Sequence, residues 1–392
     1  MMAMLTALVA LSIDMVLPAL PAIGEALGVE RSNDNQLILV FLFFGFGIGQ
    51  LIYGPMSDNT GRKPAVYAGL ALYIAGCILA LLARNFPMML AGRFLQGVGV
   101  AGPRTMTIAL VRDKFEGRSM AQVMSFIMTV FILAPVIAPA LGQALLAVSG
   151  WRAIFGVYLT LAITICAWFG LRQEETLARD RRIPFSAGRI AEAFRGVLTT
   201  RLSLGYTIAT GFIFGSFMGY LNSAQQVLQE LYGLGPQFPI YFSIVALSLG
   251  SASFMNARLV MHHGMRRLAT LAFRMVAILS FLFLAIAWTM DGVPPLWSLM
   301  TYLLVSFFFY GLLFGNLNAM AMQPLGHIAG TGAAVIGAMS TLMSLVLGTV
   351  IGQLYNATIF PMVGGFAAMS VLGILSMRWA EAGSVAPDVD AA

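Results

Sequence analysis

Charge is what this sequence lacks most. Only 10% of its 392 residues are Asp, Glu, Lys or Arg, while 59% are hydrophobic; an ordinary globular chain carries about 25% charged residues. A water-soluble fold of this length cannot hide so much apolar surface, so the excess must face lipid. Cysteine is nearly absent. Cys77 and Cys166 both lie in apolar runs, which gives no disulfide framework and reads as two small buried hydrophobes. The histidines, His262, His263 and His327, fall in loops without metal-ligand spacing, so no metal is expected. No G-x-x-x-x-G-K-[ST] loop occurs, which excludes ATP as the driving force. No nucleophile–base constellation is visible and no catalytic cofactor is implied, so an enzyme is not expected. The apolar runs do not alternate with polar residues, which excludes barrel strands. No cleavage site follows the first run, so a cleavable signal peptide is not expected; a start a few residues upstream stays open.

What is present is a series of twelve long apolar runs, near 2–27, 35–56, 64–83, 87–111, 119–147, 152–171, 202–222, 239–258, 268–289, 296–320, 329–352 and 357–379. Each is about the 20 residues that a helix needs to cross the hydrocarbon core. Backbone that crosses lipid must satisfy itself, which leaves helices once barrels are excluded. The reading is an all-α membrane protein of twelve transmembrane helices. Seventeen of the 22 basic residues fall on one side of that topology, from Arg62, Lys63, Arg112 and Lys114 through Arg172, Arg179, Arg181, Arg182, Arg189 and Arg195 to Arg266, Arg267, Arg274 and Arg378. The positive-inside rule then places both termini in the cytoplasm. The same asymmetry explains the net charge of +6, and a nucleic-acid partner is unnecessary.

The longest polar segment, LRQEETLARDRRIPFSAGRIAEAFRGVLTTR at 171–201, falls at the chain's midpoint. It divides the chain into an N-terminal half (1–171), a cytoplasmic linker (172–201) and a C-terminal half ending in a short tail (202–392). Its end, SAGRIAEAFRGVL, reads either as an amphipathic helix on the membrane surface or as a solvated connector. SDNTGRKPAVYAGL after the second run and LVMHHGMRRLATLA after the eighth align Gly61 with Gly264, each followed by a basic pair. Two six-helix halves with matching turns suggest parallel duplication, an architecture that places its site near the bilayer midplane where the halves meet. Such a protein is complete as a monomer.

Asp14, in LSIDMVLPALP, is the one acid of 16 that falls deep within a run. A carboxylate at that depth costs at least about 2.5–3.5 kcal/mol. Burial favours its protonated form, and a nearby cation favours the ionised form. A group balanced between them can load and release a proton, which makes Asp14 the proton-site candidate; the alternative is a carboxylate permanently paired with arginine. Arg93 and Arg104 lie eleven residues apart, about three helical turns, so both are expected on one face toward a cavity, with Gln96 nearby. Arginine keeps its proton, so neither can carry one. Arg104 can pair with Asp14 or bind an acidic substrate.

GPMSDNTGRKP resembles the signature loop of the major facilitator superfamily, G-x-x-x-D-x-x-G-R-[KR]. RFLQGVGVAG, running on to Val111, Arg112 and Asp113, resembles its helix-4 motif. SIDMVLPALPAI and AMQPLGHIAGTGAAVIG are similar to the Bcr/CflA branch of multidrug:proton antiporters. The chain departs from that pattern in APVIAPALG, with Ala before Pro135, in Val16 where the branch has Tyr, and in Met261 where the first half has Asp58. The resemblance implies a proton-driven exporter of small molecules in the bacterial inner membrane, with Arg93 tuning the proton site. It also implies a gate at the signature turn: Gly54, Asp58, Gly61, Arg62 and Lys63, with Asp58 accepting from Arg112 beside Asp113. Simple topology charge is the alternative. Pro18, Pro21, Pro135 and Pro139, with Gly142, are candidate kinks for moving helices. Substrate-facing candidates in the second half are Tyr206, Thr210, Tyr220, Asn222, Gln226, Asn316 and Asn318, with Phe212, Phe214, Phe307, Phe308 and Tyr310 either stacking on substrate or packing. Proton-coupled import, or a receptor on the same scaffold, are the competing readings.

Overall fold

A computed structural model of the chain describes residues 1–184 and 186–382. The tail beyond Ala382 and the side chains of Arg181 and His327 lie outside the described residues. Those described form helices joined by short turns, with no strand among them. The first expected span is not one helix. It is α1 (Met2–Asp14), a 3-10 turn over Leu17–Ala19, and α2 (Leu20–Ala26). Pro18 and Pro21 have no N–H to donate, so the carbonyls of Asp14 and Leu17 cannot receive their i+4 bonds, and the helix gives way directly after the acid. Then follow α3 (Leu37–Thr60), α4 (Arg62–Leu81), α5 (Phe86–Lys114), α6 (Gly117–Ser149) and α7 (Arg152–Arg172). After the linker come α8 (Ala187–Thr199), α9 (Arg201–Ala224), α10 (Phe238–His263), α11 (Met265–Trp288), α12 (Leu296–Met322), α13 (Ala329–Gln353) and α14 (Phe360–Glu381).

Among the described residues, eleven helical segments are long and apolar enough to cross a membrane. The remaining long helix is α5, whose Arg93, Arg104 and Gln96 lower its hydropathy. Protein rather than lipid surrounds it, because it packs along both α3 and α4. Glycines allow that approach: a Cβ on Gly97 would stand 1.9 Å from the Leu42 carbonyl oxygen, and one on Gly76 2.7 Å from that of Gly92, the small-residue contact that helices in lipid favour.

The chain divides into two compact units, Met1–Ile190 and a second beginning at Ala191. Each repeats one packing scheme. The first long helix packs on the fifth (α1 on α6, α9 on α13), the second on the fourth (α3 on α5, α10 on α12) and the third on the sixth (α4 on α7, α11 on α14). The turns matched in sequence match in backbone as well, with Gly61 at φ 110° and Gly264 at φ 73° between successive helices.

α6 is one continuous helix with Pro135 and Pro139 inside it, whereas the first span is divided. Arg274 lies nine residues past the first residue of α11. The end of the polar segment forms the helix α8. Ala193 and Val197 are buried, and a Cβ on Gly196 would lie 3.2 Å from Ile328 and 3.7 Å from Leu325, so its apolar face is docked on the α12–α13 turn.

Candidate functional site

Asp14 ends α1 at the helix break and is 4% exposed. Its carboxylate makes no hydrogen bond or ion pair among the described residues. Gly142 of α6 abuts the same break: a Cβ there would stand 1.9 Å from the Met15 carbonyl oxygen. The candidate kink glycine of α6 is thus the surface on which the broken first span rests. Tyr158 of α7 donates to the Leu11 carbonyl at 2.9 Å and lies within electrostatic range of both Asp14 and Arg93.

Arg93 is wholly buried. Nε donates to the Ile38 carbonyl at 3.0 Å, Nη1 to Gln96 Oε1 at 2.8 Å and Nη2 to the Ser12 carbonyl at 2.8 Å. The guanidinium therefore ties α5 to α3 and to α1, two residues before Asp14. Ser12 Oγ shares a 2.5 Å hydrogen bond with Tyr73 OH, and Gln96 Nε2 donates to Cys77 Sγ at 3.2 Å. All the acceptors of Arg93 are neutral. Arg93 is thus a buried cation held by neutral dipoles, and its link toward Asp14 is through the Ser12 carbonyl two residues before the acid.

Arg104 is half-buried and departs from Arg93 in its company. It makes no ion pair with Asp14; its guanidinium lies 4.7 Å over the Phe131 ring. Phe131 packs on the face of α1 formed by Ala7 and Ala10, with Ala134 of α6. Arg104 thus stands one to two turns along α1 from the acid, with no carboxylate bound to it among the described residues.

At the signature turn, Asp58 accepts from Arg62 Nη1 at 2.6 Å and Asp113 from Arg62 Nε at 3.2 Å. Arg112 takes no part, which corrects the expected Asp58–Arg112 pair: the buried Arg62 fills the space between the two acids. Glu175, from the linker, accepts from the backbone N–H groups of Arg62 at 2.9 Å and Lys63 at 3.0 Å, and from Thr176 and Leu177 at 3.0 Å each. Burial pushes its carboxyl up, but these four N–H groups outweigh burial and hold it below the usual carboxylate range. Gly61 is required twice over, by its positive φ and because a Cβ would meet Glu175 Oε2 at 2.5 Å. Gly54 is different: it sits inside α3 with open space where a Cβ would be, so it provides no close approach. Lys63 Nζ reaches the Gly170 carbonyl at 3.3 Å.

The second-half candidates separate into ties and open groups. Asn316 is paired with Asn256 through reciprocal amide bonds of 2.8 and 3.2 Å, Asn318 donates to the Phe314 carbonyl, and Thr210 to that of Tyr206. Tyr206 donates to Glu381 at 2.9 Å, and Glu381 also binds Arg266 at 2.5 Å. Phe307 and Tyr310 are core, packed with Tyr220 and Phe366. Phe214 and Phe314 are half-buried, 4.6 Å apart. Asn222 Oδ1 and Ser223 Oγ are buried without a hydrogen-bond partner among the described residues. Just beyond them α9 widens into a π-helical segment, Gln225–Leu231, whose first four residues, Gln226 among them, are buried.

The match to known proteins follows this geometry. The Major Facilitator Superfamily profile matches residues 2–349. The chain belongs to the major facilitator superfamily. The MFS-type transporter YdgK of Bacillus subtilis is 31% identical over 96% of this chain and 93% of its own. A bicyclomycin resistance protein homolog of Haemophilus influenzae is 29% identical over 93% and 91%. The chloramphenicol resistance protein CraA of Acinetobacter baumannii is 28% identical over 59% and 57%. Two solved structures share the fold, each with a TM-score of 0.69: the human organic anion transporter MFSD10 (19% identical, 97% of both chains) and the Escherichia coli xylose transporter XylE (13%, 96% and 95%). This major facilitator chain is accordingly an integral, multi-pass membrane transporter and not an enzyme. The superfamily's signature turn is where Glu175 was missed, because a linker acid in LRQEET carries no sign of the N–H groups it caps. Tyr73 and Tyr158 were missed because a tyrosine within an apolar run reads as packing.

Proposed function

We propose that the protein exports small amphipathic compounds across the bacterial inner membrane in exchange for protons, by alternating access. The observation that carries this is Asp14: a buried acid with no ion pair among the described residues, at a break in a transmembrane helix and two residues from a carbonyl held by Arg93. An acid permanently paired with arginine would have been structural; this one is left for a proton or a cationic cargo. The resistance proteins among the relatives support outward transport of drug-like compounds. In this reading α5 makes the twelfth crossing, both termini are cytoplasmic, residues 172–201 link halves at 1–171 and 202–392, and the protein works as a monomer without a cofactor. Asp58, Arg62 and Asp113 form a latch that breaks as the transporter turns over. Arg104 supplies a positive charge toward acidic groups on cargo, and Asn222 with Phe214 supplies polar and aromatic contacts.

The test is uptake into everted membrane vesicles energised by respiration, with chloramphenicol and a fluorescent cationic dye as probes. Accumulation that an uncoupler abolishes supports proton-driven efflux. Accumulation unaffected by the uncoupler, or found only in right-side-out vesicles, refutes it.

A further inference from the structure

Arg274 interrupts an apolar, exposed stripe of α11, formed by Leu271 (51% exposed), Ile278 (52%) and Phe281 (56%). In a membrane transporter such a stripe faces lipid. A guanidinium stays ionised, and at this position it must reach the headgroup level or meet an anion. Arg274 has no hydrogen bond or ion pair among the described residues, and neither has Arg378 of α14. Both line one cleft of about 120 Å³, with Thr270, Ile374, Met377 and Glu381. The cleft's acid is already engaged, Glu381 Oε1 by Tyr206 and Oε2 by Arg266. Arg274 and Arg378 therefore share a cleft whose one acid among the described residues is engaged elsewhere. Trp379 beside it is half-exposed, with Arg201 5.0 Å over its ring, as aromatics at the membrane–water boundary are placed. From the cleft the exposed stripes of α11 and of α14, with Leu375 and Leu372, run on toward the membrane interior.

We propose that the α11–α14 cleft is a binding site for an anionic phospholipid, with Arg274 and Arg378 holding the headgroup phosphate and the two stripes receiving the acyl chains. A free phosphate would satisfy the same two arginines but leave the stripes unused. Two positive charges also favour a net anionic headgroup over a zwitterionic one, whose amine they repel.

The full-length protein in mild detergent, mixed with equal phosphatidylglycerol and phosphatidylethanolamine, is read by native mass spectrometry. The wild type is expected to retain phosphatidylglycerol preferentially. Arg274→Gln and Arg378→Gln are each expected to weaken retention about fivefold, and both together about thirtyfold. Arg267→Gln, outside the cleft, is expected to change nothing, and Arg274→Lys to stay near wild type. Should the double variant aggregate on size exclusion, the two single variants and Arg274→Lys decide. Equal retention of the two lipids by the wild type, or retention unchanged by loss of the arginines, overturns the site. Inorganic phosphate is tested by thermal shift: stabilisation that needs both arginines, without lipid preference, assigns the cleft to a soluble anion and overturns the lipid.

Discussion

Arg93 and Arg104 stand eleven residues apart on one helix and meet opposite surroundings. Arg93 spends its fork on three acceptors in three directions, which a lysine cannot reproduce. Arg93→Lys is expected to lower stability by at least about 2 kcal/mol, since hydrogen bonds to a charged group are lost in a buried site. Thermal unfolding of the detergent-solubilised protein checks this; a melting temperature equal to the wild type's would show that the bonds to Ser12 and Ile38 contribute nothing. Gly142→Leu places a side chain where the Met15 carbonyl stands, so it is expected to abolish transport while the protein still reaches the membrane, as vesicle uptake beside a membrane immunoblot would show. Part of this was legible beforehand. An acid in LSIDMVLPALP and an arginine in RFLQG stand out against apolar runs, whatever the fold. Their partners did not, because two of the three acceptors of Arg93 are backbone carbonyls, which carry no residue signature.

Prolines acted differently in two helices. Pro18 and Pro21 divide the first span, whereas Pro135 and Pro139 leave α6 a single element; spacing alone did not distinguish them. The π-helical segment at Gln225–Leu231 had no signal either, since neither glycine nor proline marks it. The start of α4 depends on Glu175, so Glu175→Gln is expected to cost about 1 kcal/mol, as lost helix caps do. A pH dependence follows. The carboxyl is held below its ordinary value, near 4.3, so its stabilisation is complete above that pH and is lost as pH falls through the lower, folded-state value. Melting curves of the wild type should therefore fall in that acidic window more steeply than those of Glu175→Gln; parallel curves would remove Glu175 from the capping role. Val197→Asp on α8 should undock that helix from Leu325 and Ile328 and expose the 172–201 linker to limited proteolysis, with an unchanged digestion rate counting against the docking.

Across the whole molecule, composition and the paired glycine turns carried most of the architecture. The repeat appears in space as one scheme of helix pairing used twice, first on fifth, second on fourth and third on sixth. Its chemistry is not repeated. The acid, the buried arginine and the Arg62 latch all belong to the first unit, while the second offers amides, hydroxyls and aromatic rings. Such a division fits coupling in one half and cargo contacts in the other, and it makes Asp14 the residue on which the account stands. The decisive measurement is proton flux in proteoliposomes enclosing a pH-sensitive dye, with chloramphenicol and a cationic dye added to wild type and to Asp14→Asn. Proton movement that depends on the compound in the wild type and disappears in the variant is the predicted result. Equal compound-dependent flux in both would contradict it and leave Asp14 a structural residue.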